Sequence, residues 1–245
     1  MSLSITFLSL NLCGQDPSDG SNPWARRKEL CVDLLKKFRP IIFCIQAGYD
    51  YFGCSRKGPD DKGDEFCAIF FDATKVMNTQ LDDKSSNARR RGALLAWQHV
   101  ASLPPTLPVV FCGDFNTDKE SDVGRFFLGR SRLLNEKGDL RDAWQSARRR
   151  RNGGIVHTNH GFRGEEQGCW ECFKHFYRVF CMCWDRNYQD LHSDWVFFKG
   201  RQLAPVFAEV VVDNKEGRFP SDHYPVYIEF LLPRSVRLLE GSLVG

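Results

Sequence analysis

VVFCGDFNTDKES, residues 109–121, sets the reading of the whole chain. Val109, Val110, Phe111 and Cys112 form a continuous apolar run, the pattern of a strand buried on both faces. The run ends in Gly113-Asp114-Phe115-Asn116, so a carboxylate and a carboxamide stand two residues apart where the strand emerges. Taken alone, Gly-Asp-x-Asn is a turn, because Asp and Asn side chains bond their own backbone. The arrangement recurs, however. Asn11 follows SITFLSL, Gln46 follows IIFCI, Asp194 precedes WVFF, and Asp222 and His223 precede YPVYIEF. In layered α/β folds strand ends converge on one rim, where such groups meet in a cleft.

Working outward, the pattern predicts strands over residues 5–12, 41–46, 49–54, 65–71, 109–112, 195–198, 206–212 and 226–232. Residues 24–38 have helical spacing, with Leu30, Val32, Leu34, Leu35 and Phe38 apolar and Pro40 as the stop. A second helix is expected over 87–103, ended by Pro104-Pro105, and a shorter one around 126–135. Strands outnumber helices, which argues for a layered α/β fold with mixed sheets. Neither a repeat period nor a linker is present, so 1–245 reads as one domain. One feature is odd: the runs 41–46 and 49–54 are separated only by Ala47 and Gly48. A parallel pair needs a crossover of about a dozen residues or more. The two runs either form a tight antiparallel hairpin or have lost what lay between them.

The 245 residues are 42% hydrophobic and 27% charged, with a net charge of +3, so nothing global demands a polyanionic partner. The positive charge is local, in Arg89-Arg90-Arg91 and in Arg148-Arg149-Arg150-Arg151. Such runs read as solvated surface or helix end, or more sharply as a phosphate-facing patch. No run of about 18 apolar residues predicts a membrane span. The N-terminus lacks a basic region and a small-residue cleavage site. Several of the ten cysteines, among them Cys44, Cys67 and Cys112, lie inside apolar runs. That suits reduced thiols in an intracellular protein of cytoplasm or nucleus. The polar groups at the strand ends are oxygen and imidazole donors, which suit Mg2+ or Mn2+. A hard cation beside an Asp–His pair suits hydrolysis of a phosphate ester.

Leu8-Ser9-Leu10-Asn11, Gly113-Asp114-Phe115-Asn116, Ser193-Asp194-Trp195 and Ser221-Asp222-His223-Tyr224-Pro225 resemble, in that order, the motifs of the endonuclease/exonuclease/phosphatase superfamily, the deoxyribonuclease I-like fold. Arg141-Asp142-Ala143-Trp144 and Thr158-Asn159-His160-Gly161-Phe162 are similar to one subgroup, and the tail through LLPRSVRLLE is similar to plant members. The resemblance implies an α+β, four-layered α/β/β/α sandwich, two mixed sheets with helices outside, and Mg2+-dependent phosphoester hydrolysis. It implies that Asn11 helps hold the metal or the phosphate and that Asp222 sits near the metal. Asp114 would orient or deprotonate the attacking water, and Asn116 would fix the phosphate. His223 would bond a phosphoryl oxygen, with Asp194 holding it cationic. His160 is either a substrate-side residue or a structural histidine in a turn.

Two positions depart from the family. Where Gln-Glu is usual, with the glutamate as principal metal ligand, this chain has Gln46-Ala47. Asn78-Thr79-Gln80-Leu81 looks like Thr-His-Leu, with Gln80 in the histidine's place. The helix and strands usual on either side of residues 47–76 are also absent, so the chain reads as a shortened isoform with part of one half missing. Impaired or absent hydrolysis follows. The alternative is a non-catalytic member that binds phosphate or nucleic acid, and a third reading is hydrolysis of phospholipid headgroups. Residues 165–191 form a Cys- and aromatic-rich insertion. Cys169, Cys172, Cys181 and Cys183 do not match well-attested zinc spacings. Helical steps of three and four explain 169–184 as a core or partner-facing helix, with zinc and a membrane-surface role as the other readings.

Overall fold

A computed structural model describes residues 4–13, 22–47, 53–55, 66–68, 75–81, 85–155, 157–164 and 192–232. The insertion at 165–191, its four cysteines and its expected helix lie outside these residues.

Two mixed sheets form the centre. The first contains β1 (Ser4–Asn11), β2 (Ile42–Ala47), β3 (Gly53–Ser55), β4 (Phe66–Ala68), β8 (Arg149–Arg151), β10 (Ala204–Val210) and β11 (Val226–Leu231), in the order β3-β4-β2-β1-β11-β10-β8. The second runs β5-β6-β9-β7, from β5 (Lys75–Gln80), β6 (Val109–Asp114), β9 (Asp194–Lys199) and β7 (Arg141–Asp142). Each sheet mixes directions: β1 is parallel to β2 and antiparallel to β11, and β6 is parallel to β5 and antiparallel to β9.

Period-two alternation decides the layers. On β6, Val110 and Cys112 join a core that also takes Phe7, Cys44, Phe198, Ile228 and Phe230, so this core lies between the sheets. Val109 and Phe111 point the other way, into a cluster with Trp97, Val100, Phe126 and Phe127. These come from α2 (Ser86–Ser102) and α3 (Asp122–Phe127), which cover the second sheet. Leu8 and Leu10 of β1 face α1 (Trp24–Phe38) through Leu34 and Cys31. The result is helix, sheet, sheet, helix. Phe115 stacks on Trp195 with ring centroids 4.3 Å apart, locking the end of β6 to the start of β9.

Local chemistry sets the helix ends. Arg39 takes a left-handed conformation and its N–H bonds Leu35 O, after which Pro40 prevents continuation. Ser85 caps α2 by accepting from Ala88 N. The third helix lies earlier than the 126–135 expected. Ser121 caps it by accepting from Gly124 N, and the chain reverses at Gly129 (φ +68), leaving 130–135 outside any helix. A fourth, single-turn helix α4 (Ala143–Ser146) begins where Asp142 Oδ1 accepts from Trp144 N.

Of the two readings for the runs 41–46 and 49–54, the direct hairpin does not form. β4 lies between β2 and β3 and pairs antiparallel with both, with Cys54 opposite Cys67. The arginine run at 149–151 is solvated surface, as one of its readings had it, and not a helix end. It is the exposed edge strand β8, parallel to β10. Charged side chains on an edge discourage pairing with another chain.

Candidate active site

Strand register brings the polar residues of distant segments to one rim. Asp114, the last residue of β6, is paired directly with Asp194, the first of β9, and on its other side with Gln80, the last of β5. Across the sandwich, Asn11 ends β1 opposite Gln46 of β2. The β1–β11 ladder runs out at Ser9–Val226, so His223 stands just beyond it on the same rim.

The side chains then meet. Asn11 Nδ2 donates to Asp114 Oδ2 at 3.0 Å. His223 Nδ1 lies 2.7 Å from Asp194 Oδ2, and its Nε2 lies 3.9 Å from Asp114 Oδ2. All three members of the Asp114–Asp194–His223 group are buried. Asp114 Oδ1 accepts from the main-chain N–H of Asn116 at 2.9 Å, which holds Asn116 at φ +50. Asn116 Nδ2 in turn donates to Leu81 O at 2.8 Å.

Charge within this group is strongly biased. Burial opposes the imidazolium of His223, but the nearby carboxylates of Asp194, Asp114 and Asp222 outweigh it and push its pKa up to about 10. Asp114 is pushed up to about 6, first by burial and then by the charge of Asp194, against the lowering effect of His223. One carboxyl is therefore poised near neutrality beside an imidazole held cationic.

The group also fits a divalent cation. Asp114, Asp194 and His223 each offer a ligand atom within 4.8 Å of the others. A protonated imidazole is a donor rather than a ligand, so the carboxylates and the Asn11 carboxamide are the usable oxygens. Such oxygen donors suit Mg2+ or Mn2+. Position 47 lies one residue past the Asn11–Gln46 pair and carries a methyl group, which cannot coordinate.

Two predicted residues stand differently. Asp222 is half-buried; its main-chain carbonyl accepts from His160 N and Gly161 N at 2.8 and 3.0 Å, and its Oδ1 accepts from Ser221 Oγ at 3.1 Å. His160 is fully buried behind the rim. It stacks on Tyr224 at 4.0 Å, and its Nδ1 accepts from Gly164 N at 3.2 Å. Burial lowers its pKa to about 4, so the ring is neutral, and neither nitrogen bonds Asp194 or His223.

Motif residues to which the sequence reading gave no role support the site. Thr158 Oγ1 accepts from the main-chain N–H groups of Ser193 and Asp194, both at 3.2 Å. Ser221 Oγ bonds the carbonyl of Asn11 and accepts from His223 N at 3.2 Å. The repeated Ser-Asp dipeptide at 193–194 and 221–222 is the sequence signal that marks both serines. A further buried ion pair, Lys119 Nζ to Asp142 Oδ2 at 3.0 Å, ties the segment after Asn116 to the start of α4.

Comparison with known proteins gives the same architecture. The sequence pattern of the Endonuclease/Exonuclease/phosphatase family matches residues 8–223. No curated protein matches in sequence. A crystal structure of an endonuclease/exonuclease/phosphatase family protein from Bacteroides thetaiotaomicron superposes with a TM-score of 0.72 at 19% identity, covering 95% of this chain and 99% of that one. A mannosyl-6-phosphatase from the same bacterium gives 0.69 at 19% identity, over 92% and 99% of the two chains. The human nocturnin catalytic domain with bound sulfate gives 0.57 at 16% identity, over 95% and 97%. At these identities the likeness is one of fold.

Proposed function

The chain belongs to the endonuclease/exonuclease/phosphatase family, and from that premise we propose that the Asp114–Asp194–His223 group is a phosphoester-hydrolysing centre working with a divalent cation. The observation that carries the reading is His223, held 2.7 Å from Asp194 while its other nitrogen faces Asp114 at 3.9 Å. Asp114, near neutrality in its ionisation, accepts the proton of the water that attacks phosphorus. The His223 imidazolium donates to a phosphoryl oxygen as negative charge builds there. Asp194 orients the ring and keeps it charged. Asn116 holds a second phosphoryl oxygen. Asn11 and a carboxylate oxygen of the group, with Asp222 near the ion as the resemblance implies, would hold Mg2+ or Mn2+, and the ion would neutralise charge on the phosphoryl oxygens. His160, neutral and buried, supports the turn that carries Asp222.

Ala47 limits this centre. Mg2+ relies on one or two carboxylates, and the family's glutamate is missing at that position. Turnover is therefore low in this chain, and the loss is the by-product of a shortened, plant-type isoform. The substrate is a phosphoester, with nucleic acid strands among the candidates. Ala47 and Gln80 favour a second reading, a phosphate- or nucleic-acid-binding member that no longer turns over. The buried free thiols of Cys44 and Cys112 support an intracellular setting. Among the described residues, no helix is long and apolar enough to cross a membrane.

The test is hydrolysis of bis(p-nitrophenyl) phosphate, p-nitrophenyl phosphate and labelled oligonucleotides by purified protein, with saturating Mg2+ and with EDTA. Slow turnover abolished by EDTA and by Asp114→Asn is expected. Turnover unaffected by either change refutes the centre. Tight binding without turnover, even in an Ala47→Glu variant, selects the second reading.

A further inference from the structure

The β1–β11 ladder stops at Ser9–Val226, yet Asn11 and His223 lie past that point and must be held in place. Among the described residues, no main-chain hydrogen bond joins residues 10–13 to residues 219–224. One side-chain link is Ser221 Oγ to Asn11 O. The other comes from α1. Arg27 is only 4% exposed, and its guanidinium meets four main-chain carbonyls and, among the described residues, no carboxylate. Nη1 donates to Leu12 O at 2.6 Å and to Pro220 O at 3.0 Å. Nη2 donates to Cys13 O at 3.3 Å, and Nε to Asn22 O at 2.9 Å. The planar cation also lies over two rings, Trp24 at 5.6 Å and Phe162 at 5.4 Å. One helical turn on, Cys31 Sγ contacts the same Pro220 carbonyl at 3.6 Å.

We propose that Arg27 is a positioning residue for the phosphoester centre: it fastens the segment after Asn11 to the segment before Asp222 and His223, where the sheet no longer does so. The inference rests on the hydrolase reading for its consequence, and on the geometry alone for the fastening. Leu12 and Cys13 directly follow Asn11, and Pro220 directly precedes the Ser221-Asp222-His223 turn. Phe162 belongs to the loop whose His160 and Gly161 amides hold the Asp222 carbonyl. Among the described residues, a single guanidinium thus touches three segments that border the centre on the side of the first sheet: the one after Asn11, the one before Ser221, and the loop of Phe162. Its fork of fixed N–H directions is what allows carbonyls from separate segments to share one cation. A lysine ammonium, a point charge on a flexible stem, can satisfy only some of them. The rest would be left buried without a donor.

The experiment compares Arg27→Met, which keeps bulk and removes the donors, with Arg27→Lys and with Val109→Ala. Val109 is buried at the end of β6 opposite Asp114, so its truncation lowers stability without touching the rim. Amide-resolved hydrogen exchange on the full chain is the first readout. In Arg27→Met the amides of Cys13, His160, Gly161, His223 and Tyr224 should exchange about tenfold faster or more, while Phe7, Leu8 and Ile228 in the ladder stay protected. Arg27→Lys should fall between, and Val109→Ala should show no such selectivity. Exchange that is unchanged, or accelerated equally in ladder and rim, overturns the proposal. If Arg27→Met does not fold, Arg27→Lys carries the same comparison.

The second readout is hydrolysis of bis(p-nitrophenyl) phosphate with Mg2+. Arg27→Met should lose on the order of 10²-fold in kcat at nearly constant KM, the scale of a misplacement of about 1 Å. Arg27→Lys should recover part of it, and Val109→Ala should keep the parent rate. A loss confined to KM, or shared by Val109→Ala, overturns the positioning role. Absence of turnover in both the parent chain and Ala47→Glu overturns the hydrolase reading, and the exchange result still upholds or overturns the fastening.

Discussion

Replacing Asp194 by asparagine tests the charge arrangement most directly. His223 has a pKa of about 10, against an ordinary value of 6.5. At about 1.4 kcal/mol per pH unit, that corresponds to on the order of 5 kcal/mol in favour of the imidazolium. The sign follows from linkage. A histidine raised on folding contributes stability that is fully present below 6.5 and is lost as pH rises through about 10. Asp194→Asn removes the largest favourable charge, and burial then drives the ring toward neutrality. Part of the cost is returned, because Asp194 also raises Asp114. A net loss of about 3 kcal/mol near neutral pH is expected, at the low end for a broken buried pair. Urea unfolding of parent and variant across a pH series measures it. The gap should be widest at neutral and mildly acidic pH and should close toward pH 10. With turnover, the alkaline limb of kcat/KM should fall from about 10 to below neutrality, and the acid limb should drop below about 6. A gap that is constant with pH, or that widens above pH 10, refutes the reasoning.

Other outcomes follow from the same geometry. Asp114→Asn should lower turnover by about 10²–10⁴-fold and remove the acid limb near pH 6, checked by pH–rate profiles. Ala47→Glu should raise Mg2+-dependent turnover by on the order of 10²-fold and tighten Mn2+ binding measured by calorimetry, the scale at which ligand-shell changes act. Lys119→Met leaves Asp142 buried without its cation and should cost about 3–5 kcal/mol in urea unfolding; pairing it with Asp142→Asn, which drops the charge and keeps the Oδ1 acceptor for Trp144 N, should restore part of that.

The legible part of the fold was the part encoded by period and punctuation. The continuous run 109–112 had to be a strand covered on both faces, and the core clusters on its two sides explain why. Helix α1 was legible from its apolar spacing and Pro40, whereas the third helix was misplaced. Its start depends on the Ser121 cap and its end on a reversal at Gly129, local signals that the expected range 126–135 ran past. The order β3-β4-β2 was not legible either: the two-residue separation left a hairpin and a lost segment both open, and strand adjacency depends on long-range pairing that no local spacing contains.

The sequence by itself marked the candidate groups: Asn11, Asp114 and Asp194 end or begin strands, and Asn116, Asp222 and His223 stand within a few residues of one, where polar side chains escape the apolar layers. Tertiary structure alone decided how they meet. Register sets Asp114 opposite Asp194, and packing of the two sheets brings Asn11 to Asp114 and His223 to both. It also decided that His160 lies behind the rim and that Arg27, an unremarked arginine in a basic helix, is buried against four carbonyls. The physical reason is that burial and charge partners are properties of the assembled surfaces. A side chain's pKa and bonding depend on neighbours more than a hundred residues away, and no local window of sequence contains them.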